Sequence, residues 1–221
     1  MIRVISLCIL ILTGCFSWSQ TIDNNLLEIK EKLDVVNQFT ADLEMTVDIS
    51  FINMPQKHAE ITYERGKDLQ VNSEDFVLIP KRGLDLPLNE IFKYDFITVD
   101  RGMEERNGEN YKMINIIPTD DRADFSIATL LLDTINKRIS ESRINTKKDG
   151  AYTVKMAYAK KDDILPSDVE VDFEVERMRL PLRYMGKEAD VDKEKYRSKE
   201  VKTGKIYLKI SNYKIDSKTA S

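Results

Sequence analysis

Cysteine is almost missing from this chain: it occurs only as Cys8 and Cys15, in or beside an apolar leader. Beyond residue 20 there is no disulfide, no thiol nucleophile and no thiolate metal site, so stability rests on an apolar core. Histidine is reduced to His58. A zinc set needs several soft or borderline ligands, so His58 reads as a surface strand residue. Positive charge has no surplus, with 34 Lys+Arg against 38 Asp+Glu and a net charge of -4. Nothing replaces counterions on a phosphate backbone, which argues against a nucleic-acid partner and for a soluble chain. With 8 glycines in all, no glycine-rich phosphate loop is formed, and Ser, His and Asp fall into no triad spacing. The carboxylate clusters Asp120–Asp121, Asp162–Asp163 and Asp190–Asp192 lack the spacing and glycine of a calcium loop and read as solvated turns. No catalytic residue, metal or cofactor is assigned, and an enzyme reading has no positive support.

Long hydrophobic runs are also absent, apart from the first. Arg3 precedes the apolar stretch Val4–Leu12, and Ser17–Trp18–Ser19 offers small residues before Gln20. The stretch is too short to span a bilayer and has the order of an export signal, residues 1–19. It places the chain in the periplasm. The same stretch holds Leu12–Thr13–Gly14–Cys15, a lipobox in which Cys15 would be lipidated and anchor the protein to a membrane. Cleavage after Ser19 is favoured, because a leader ending at Gly14 is short for its class. Residues 20–221 then form a single domain, large enough to bury a sizeable core.

What the chain does have is period. Over Thr21–Asn37 the residues Ile22, Leu26, Ile29, Leu33 and Val36 recur at spacings of four and three, which predicts an amphipathic helix capped by Asp23. The period then becomes two. In Ala41–Phe51, Leu43, Met45, Val47, Ile49 and Phe51 alternate with polar residues, a long strand wet on one face. Similar runs follow at Ala59–Arg65, Leu69–Val71, Phe76–Ile79, Asp95–Val99, Tyr111–Ile117, Ala128–Leu132, Arg138–Asn145, Tyr152–Ala159, Val169–Val175 and Lys205–Tyr213. Turn signals separate them at Arg65–Gly66, Asn107–Gly108, Asp149–Gly150 and Thr203–Gly204. Ten or eleven strands with short connections imply a mainly β chain with some α: one large curved antiparallel sheet in a meander. Leu86–Lys93 is expected to add a short second helix, and Leu180–Gly204 a mobile charged loop. Apart from Met1, methionine occurs at Met45, Met54, Met103, Met113, Met156, Met178 and Met185. Thioethers fill irregular cores, and equally line cavities that adapt to flexible apolar guests. A sheet this wide needs a cover that one helix and a short second one supply only in part, so it closes or curls around a cavity.

Leader, amphipathic helix and wide meander occur in the order of a known family. The segments Ile61–Lys67 (ITYERGK), Phe76–Leu84 (FVLIPKRGL), Ile116–Asp121 (IIPTDD) and the closing Gly204–Lys205 with Ile210–Lys214 resemble the LolA-type outer-membrane lipoprotein carriers and their Bacteroidota-type lipoprotein-sorting relatives. The resemblance implies an incomplete barrel whose apolar pocket, closed by helices, shields the acyl chains of a lipoprotein on its way to the outer membrane. It implies an inner-membrane donor complex, an outer-membrane acceptor and a monomer. Related proteins on this fold act as envelope-stress sensors or as lipid-anchored lipid binders, and both remain alternatives here. On that pattern the cavity is lined by Met45, Val47, Ile49, Ile61, Tyr63, Met156, Val171 and Phe173. The lid is Leu26, Ile29, Leu33 and Val36, and Arg65 matches the family's lid-locking arginine. Gly66 stands where the family usually has proline. From the residues themselves, Arg65 sits at the end of an alternation with Ile61 and Tyr63. It either bonds a lid carbonyl or points to water at the rim.

Intact-mass measurement of the exported protein is expected to read a chain beginning at Gln20. A diacylglyceryl addition on Cys15 would select the anchored form instead.

Overall fold

The computed structural model describes residues 22–67, 69–73, 91–148, 150–175, 189–198 and 200–217. The leader with Cys15, the run at Phe76–Ile79, most of Leu86–Lys93 and the start of Leu180–Gly204 lie outside these residues. In chain order the elements are α1 (Asn24–Leu33), β1 (Val36–Asp48), β2 (Ile52–Asn53), β3 (Lys57–Glu64), β4 (Gln70–Asn72), β5 (Phe96–Arg106) and β6 (Glu109–Pro118). There follow β7 (Phe125–Asp133), β8 (Arg138–Thr146), β9 (Ala151–Ala157), β10 (Asp168–Val175), β11 (Asp190–Val191), α2 (Lys193–Arg197) and β12 (Lys202–Ser217).

Ten strands make one antiparallel sheet in the order β4-β3-β1-β12-β10-β9-β8-β7-β6-β5, and β2 pairs with β11 beside it. Among the described residues the sheet is not closed, and β4 and β5 are its two edges. The expected fold class, mainly β with α and an incomplete barrel, is the one observed. From β5 to β10 the chain is a plain meander. β12 then lies between β10 and β1, so the two ends of the domain are joined side by side.

α1 starts where the Asp23 side chain accepts the Asn25 N–H at 2.9 Å, satisfying a donor that the first turn leaves open. It is shorter than the apolar period implied. Leu33 is its last residue, Asp34 caps it, and Val36 opens β1. Val36 is therefore not on the helix but buried on the sheet, paired with Ser217. A β-branched pair, Val35–Val36, favours the extended chain, and backbone bonds from Val36 onward go to β12.

Strand alternation sets two faces. Inward on β1 are Phe39, Ala41, Leu43, Met45 and Val47; outward are Thr40, Asp42, Glu44, Thr46 and Asp48. Carried across the register, one inner row runs Val47–Ile206–Val171–Val154–Ser142–Leu130–Ile114. The Asn107–Gly108 signal is a two-residue turn with φ of 53° and 80°, closed by the pair Arg106–Glu109. β5 is longer than Asp95–Val99 because a bulge between Asp100 and Met103, with Gly102 at φ 87°, breaks the alternation that periodicity follows.

Two expectations for the C-terminal third are corrected. Within the described part of Leu180–Gly204 stand β11, α2 and the beginning of β12. Asp192 caps α2 by accepting from the N–H groups of Glu194 and Lys195. Thr203–Gly204 is no turn either: Gly204 lies within β12, opposite Phe173. A Cβ there would stand 2.6 Å from Ile49 Cγ1 and 2.7 Å from Phe173 Cζ, so the glycine makes room for two apolar side chains. Replacing Gly204 by valine should destabilise the fold by about 1–3 kcal/mol, read from urea unfolding. A change within 0.5 kcal/mol, roughly the surface-substitution range, would contradict this packing.

Candidate lid and inner face

The inner face divides into two apolar clusters. The first is built on β1, β3, β10 and β12, and is joined by Ile52 of β2, Val191 of β11, Tyr196 of α2, and Phe51 and Leu165 from loops. The second joins α1 to β6, β7 and β8 through Leu26, Ile29, Ile114, Ile116, Ala128, Leu130, Leu132, Ile139 and Ile144. Leu33, Tyr152 and Met156 touch both.

All eight residues expected to line a cavity come together in the first cluster. Met45, Ile49, Ile61 and Val171 are buried there, while Val47, Tyr63, Met156 and Phe173 are partly buried. Of the expected lid, Leu26 and Ile29 seal the second cluster, Leu33 lies at the border, and Val36 belongs to the sheet. The helix thus covers mainly residues that sequence reasoning did not single out, Ile114, Ile116, Leu130 and Leu132. Their strands were legible. Which strands α1 would lie over was not, because periodicity gives a face and no partner.

Polar bonds fasten α1 at both ends. At its C-terminal end the Arg65 guanidinium donates to the carbonyls of Asp34 and of Val36, the latter at 2.7 Å, and to Asp34 Oδ1 at 3.2 Å. Its Nε is buried and makes no hydrogen bond. Lys32 Nζ donates to the carbonyls of Asn136 at 2.8 Å and Asp163 at 3.4 Å, tying the helix to the β7–β8 turn and the β9–β10 connection. Burial, with Arg138 nearby, pushes the Lys32 ammonium below the usual lysine range. The two loops are themselves anchored. Asp133 accepts from the Asn136 N–H and amide and from Arg138, and Arg138 stacks on Tyr158 at 4.5 Å. The Tyr158 hydroxyl donates to the Ile139 carbonyl at 3.0 Å, and burial raises its pKa.

At the N-terminal end, Lys112 Nζ donates to Asp23 Oδ2 at 2.6 Å and lies 3.3 Å from Asp100. The Asp23 N–H donates to Thr98 Oγ1 at 2.9 Å. Lys112 is on the inner side of β6, in register with Leu132 and Met103. Its bond to Asp23 holds its pKa above the usual lysine value. Apolar seating and polar fastening differ in kind. Burying Leu26 and Ile29 contributes roughly 3–6 kcal/mol, whereas the end contacts fix where the helix sits.

The outer face is polar over most of its width. Lys155 and Lys205 each bridge Glu170 and Asp172 at 2.9–3.1 Å, so charges of opposite sign alternate across β9, β10 and β12. His58 is on this face, opposite Glu44. Clefts on this face include one of about 540 Å³ bordered by Arg106, Glu141 and Tyr207, and others of about 510 Å³ near Arg143 and near His58.

Asp133 gives a pH test of the fastening. Burial alone would raise its pKa, but the Asn136 N–H and amide and Arg138 outweigh this and hold it below the usual carboxylate value. A lowered folded-state pKa adds stability above the unfolded value of about 4 and loses it as pH falls through the folded value. Asp133→Asn should therefore cost stability at pH 7, and the gap from wild type should shrink under acid. A gap independent of pH would remove the carboxylate from the fastening.

No protein-family model matches the chain, and no curated protein does either. Among solved structures it is similar to a DUF1329 family protein from Desulfovibrio piger, with TM-score 0.50, 10% identity, and 89% of this chain and 92% of that one covered. It is also similar to a LolA superfamily protein from Nitrosomonas europaea (TM-score 0.48, 11% identity, 87% and 94% covered). A third is a candidate outer membrane lipoprotein-sorting protein domain from Vibrio parahaemolyticus (TM-score 0.46, 11% identity, 89% and 94% covered). At such identities the likeness is one of fold.

Proposed function

We propose that the protein binds acyl chains of lipoproteins, or of other lipids, against its inner face beneath α1, and carries them across the periplasm towards the outer membrane without catalysing a reaction. The observation that supports this is the manner in which α1 is held. Among the described residues its apolar hold on the sheet is two fully buried side chains, Leu26 and Ile29, with Ile22 and Leu33 partly buried beside them, and polar contacts fasten both ends. At about 0.8 kcal/mol per buried methylene, a guest replaces the roughly 3–6 kcal/mol of Leu26 and Ile29 with about four to eight methylenes. An acyl tail supplies more than that. Lid and guest then compete for one apolar surface, and the difference between open and closed stays small enough for handover. Export through the leader puts such a carrier in the compartment where acyl chains need shielding from water.

Arg65 holds the carbonyls where α1 turns into β1, so it favours the closed state. In Arg65→Leu the lid returns less readily, and a bound tail is displaced less. Transfer of a fluorescent fatty acid from the protein to acceptor vesicles should slow by about fivefold, while capture from donor vesicles stays within about twofold of wild type. Unchanged transfer would remove Arg65 from the mechanism. No capture by wild type would overturn the lipid reading.

A further inference from the structure

The covalent tie between α1 and the sheet is at the C-terminal end of the helix, where Asp34 and Val35 lead into β1. Arg65 and Lys32 fasten that same end, at the pivot. A helix lifting about Asp34–Val36 moves most at its N-terminus, so the contact that has to part is the one made by Asp23. Its carboxylate and the Lys112 ammonium are 2.6 Å apart, with side chains only 11% and 19% exposed. The other anion beside Lys112, Asp100, has a side chain 58% exposed. Along the inner side of β6, Lys112 is followed by Ile114 and Ile116, both buried beneath α1. When the helix lifts, Lys112 loses its better-buried partner at one end of the apolar strip that Leu26 and Ile29 vacate.

We propose that Lys112 receives the head of the guest: an acyl chain carrying a carboxylate or phosphate, whose anion takes the place of Asp23 while its tail takes that of Leu26 and Ile29. The assignment rests on the lipid-binding reading above and narrows its ligand class to the other lipids named there, those with a free carboxylate or phosphate, since the acyl chains of a lipoprotein are ester- or amide-linked and carry no such anion. Lys112 and Ile114 are two residues apart on one strand, about 7 Å, so head contact and the first methylenes of the tail are reached together. An anionic head restores the ion pair that opening breaks. A neutral head leaves a half-buried ammonium short of an acceptor, and the site selects against it.

The probes are dansyl undecanoic acid and its methyl ester, titrated by fluorescence against the full mature chain. Wild type should prefer the acid by about tenfold, since a charge-assisted bond is formed with the acid alone. Lys112→Met should bring the two probes within about twofold of each other. Asp23→Asn keeps a residue that caps helices and removes the ion pair that opening breaks, so it should tighten both probes and keep the preference for the acid. It decides the matter alone if Lys112→Met fails to fold: no tightening, or loss of that preference, overturns the assignment. Equal binding of acid and ester by wild type overturns the role of Lys112 and leaves lipid binding standing. Binding of neither probe overturns both. Inorganic phosphate at constant ionic strength should leave the acid bound; displacement by phosphate alone would make this a free-anion site and overturn the amphiphile.

Discussion

The pairing of β1 with β12 is the constraint on which the remaining architecture depends. It runs from Val36–Ser217 to Asp48–Lys205 and joins the two ends of the domain, fastening β3 and β4 to the meander. It also sets where α1 ends, two residues before β1. From there the helix has to reach β6, six strand positions away. On a flat sheet that is about 29 Å, while ten residues of helix span about 15 Å. The sheet therefore has to curl for Leu26 to meet Ile114 and for Asp23 to meet Lys112. Curvature, lid position and the second apolar cluster are one fact seen three ways. Its cost is kinetic, because loop closure over most of the chain precedes any gain from the pair.

The two faces answer different demands. The inner face is apolar and gains stability from exclusion of water, without fixed direction. A short helix on such a surface could slide, and the end contacts through Arg65, Lys32, Asp23 and Lys112 supply the direction that hydrophobic burial lacks. On the outer face, Lys155, Lys205, Glu170 and Asp172 neutralise one another across strands. That leaves a wide sheet soluble on its exposed side.

Much of this could be seen in the residues. The alternation of Val169, Val171 and Phe173 with Glu170, Asp172 and Glu174 became β10 with little change of bounds, and the eight proposed lining residues did gather in one cluster. Where the reading went astray, a local signal met a nonlocal demand. Val36 continued the helical period but was claimed by β12. Gly204 looked like a turn, yet its missing side chain serves Ile49 and Phe173, which come from distant parts of the chain. Lys112 carried no signal at all. A lysine in an alternating strand reads as solvent-facing, and only the arrival of Asp23 across the inner face explains its inward position.

The amino-acid order alone determined the switch from a 3.6-residue to a two-residue period and the mainly β class. These depend on composition and on spacing within a dozen residues, where geometry follows from the backbone. Tertiary structure decided which strands border one another, which apolar cluster the helix covers, and which ions hold it there. Those are contacts between residues tens to more than a hundred positions apart, such as Asp23 with Lys112 and Lys32 with Asp163. No local period encodes them.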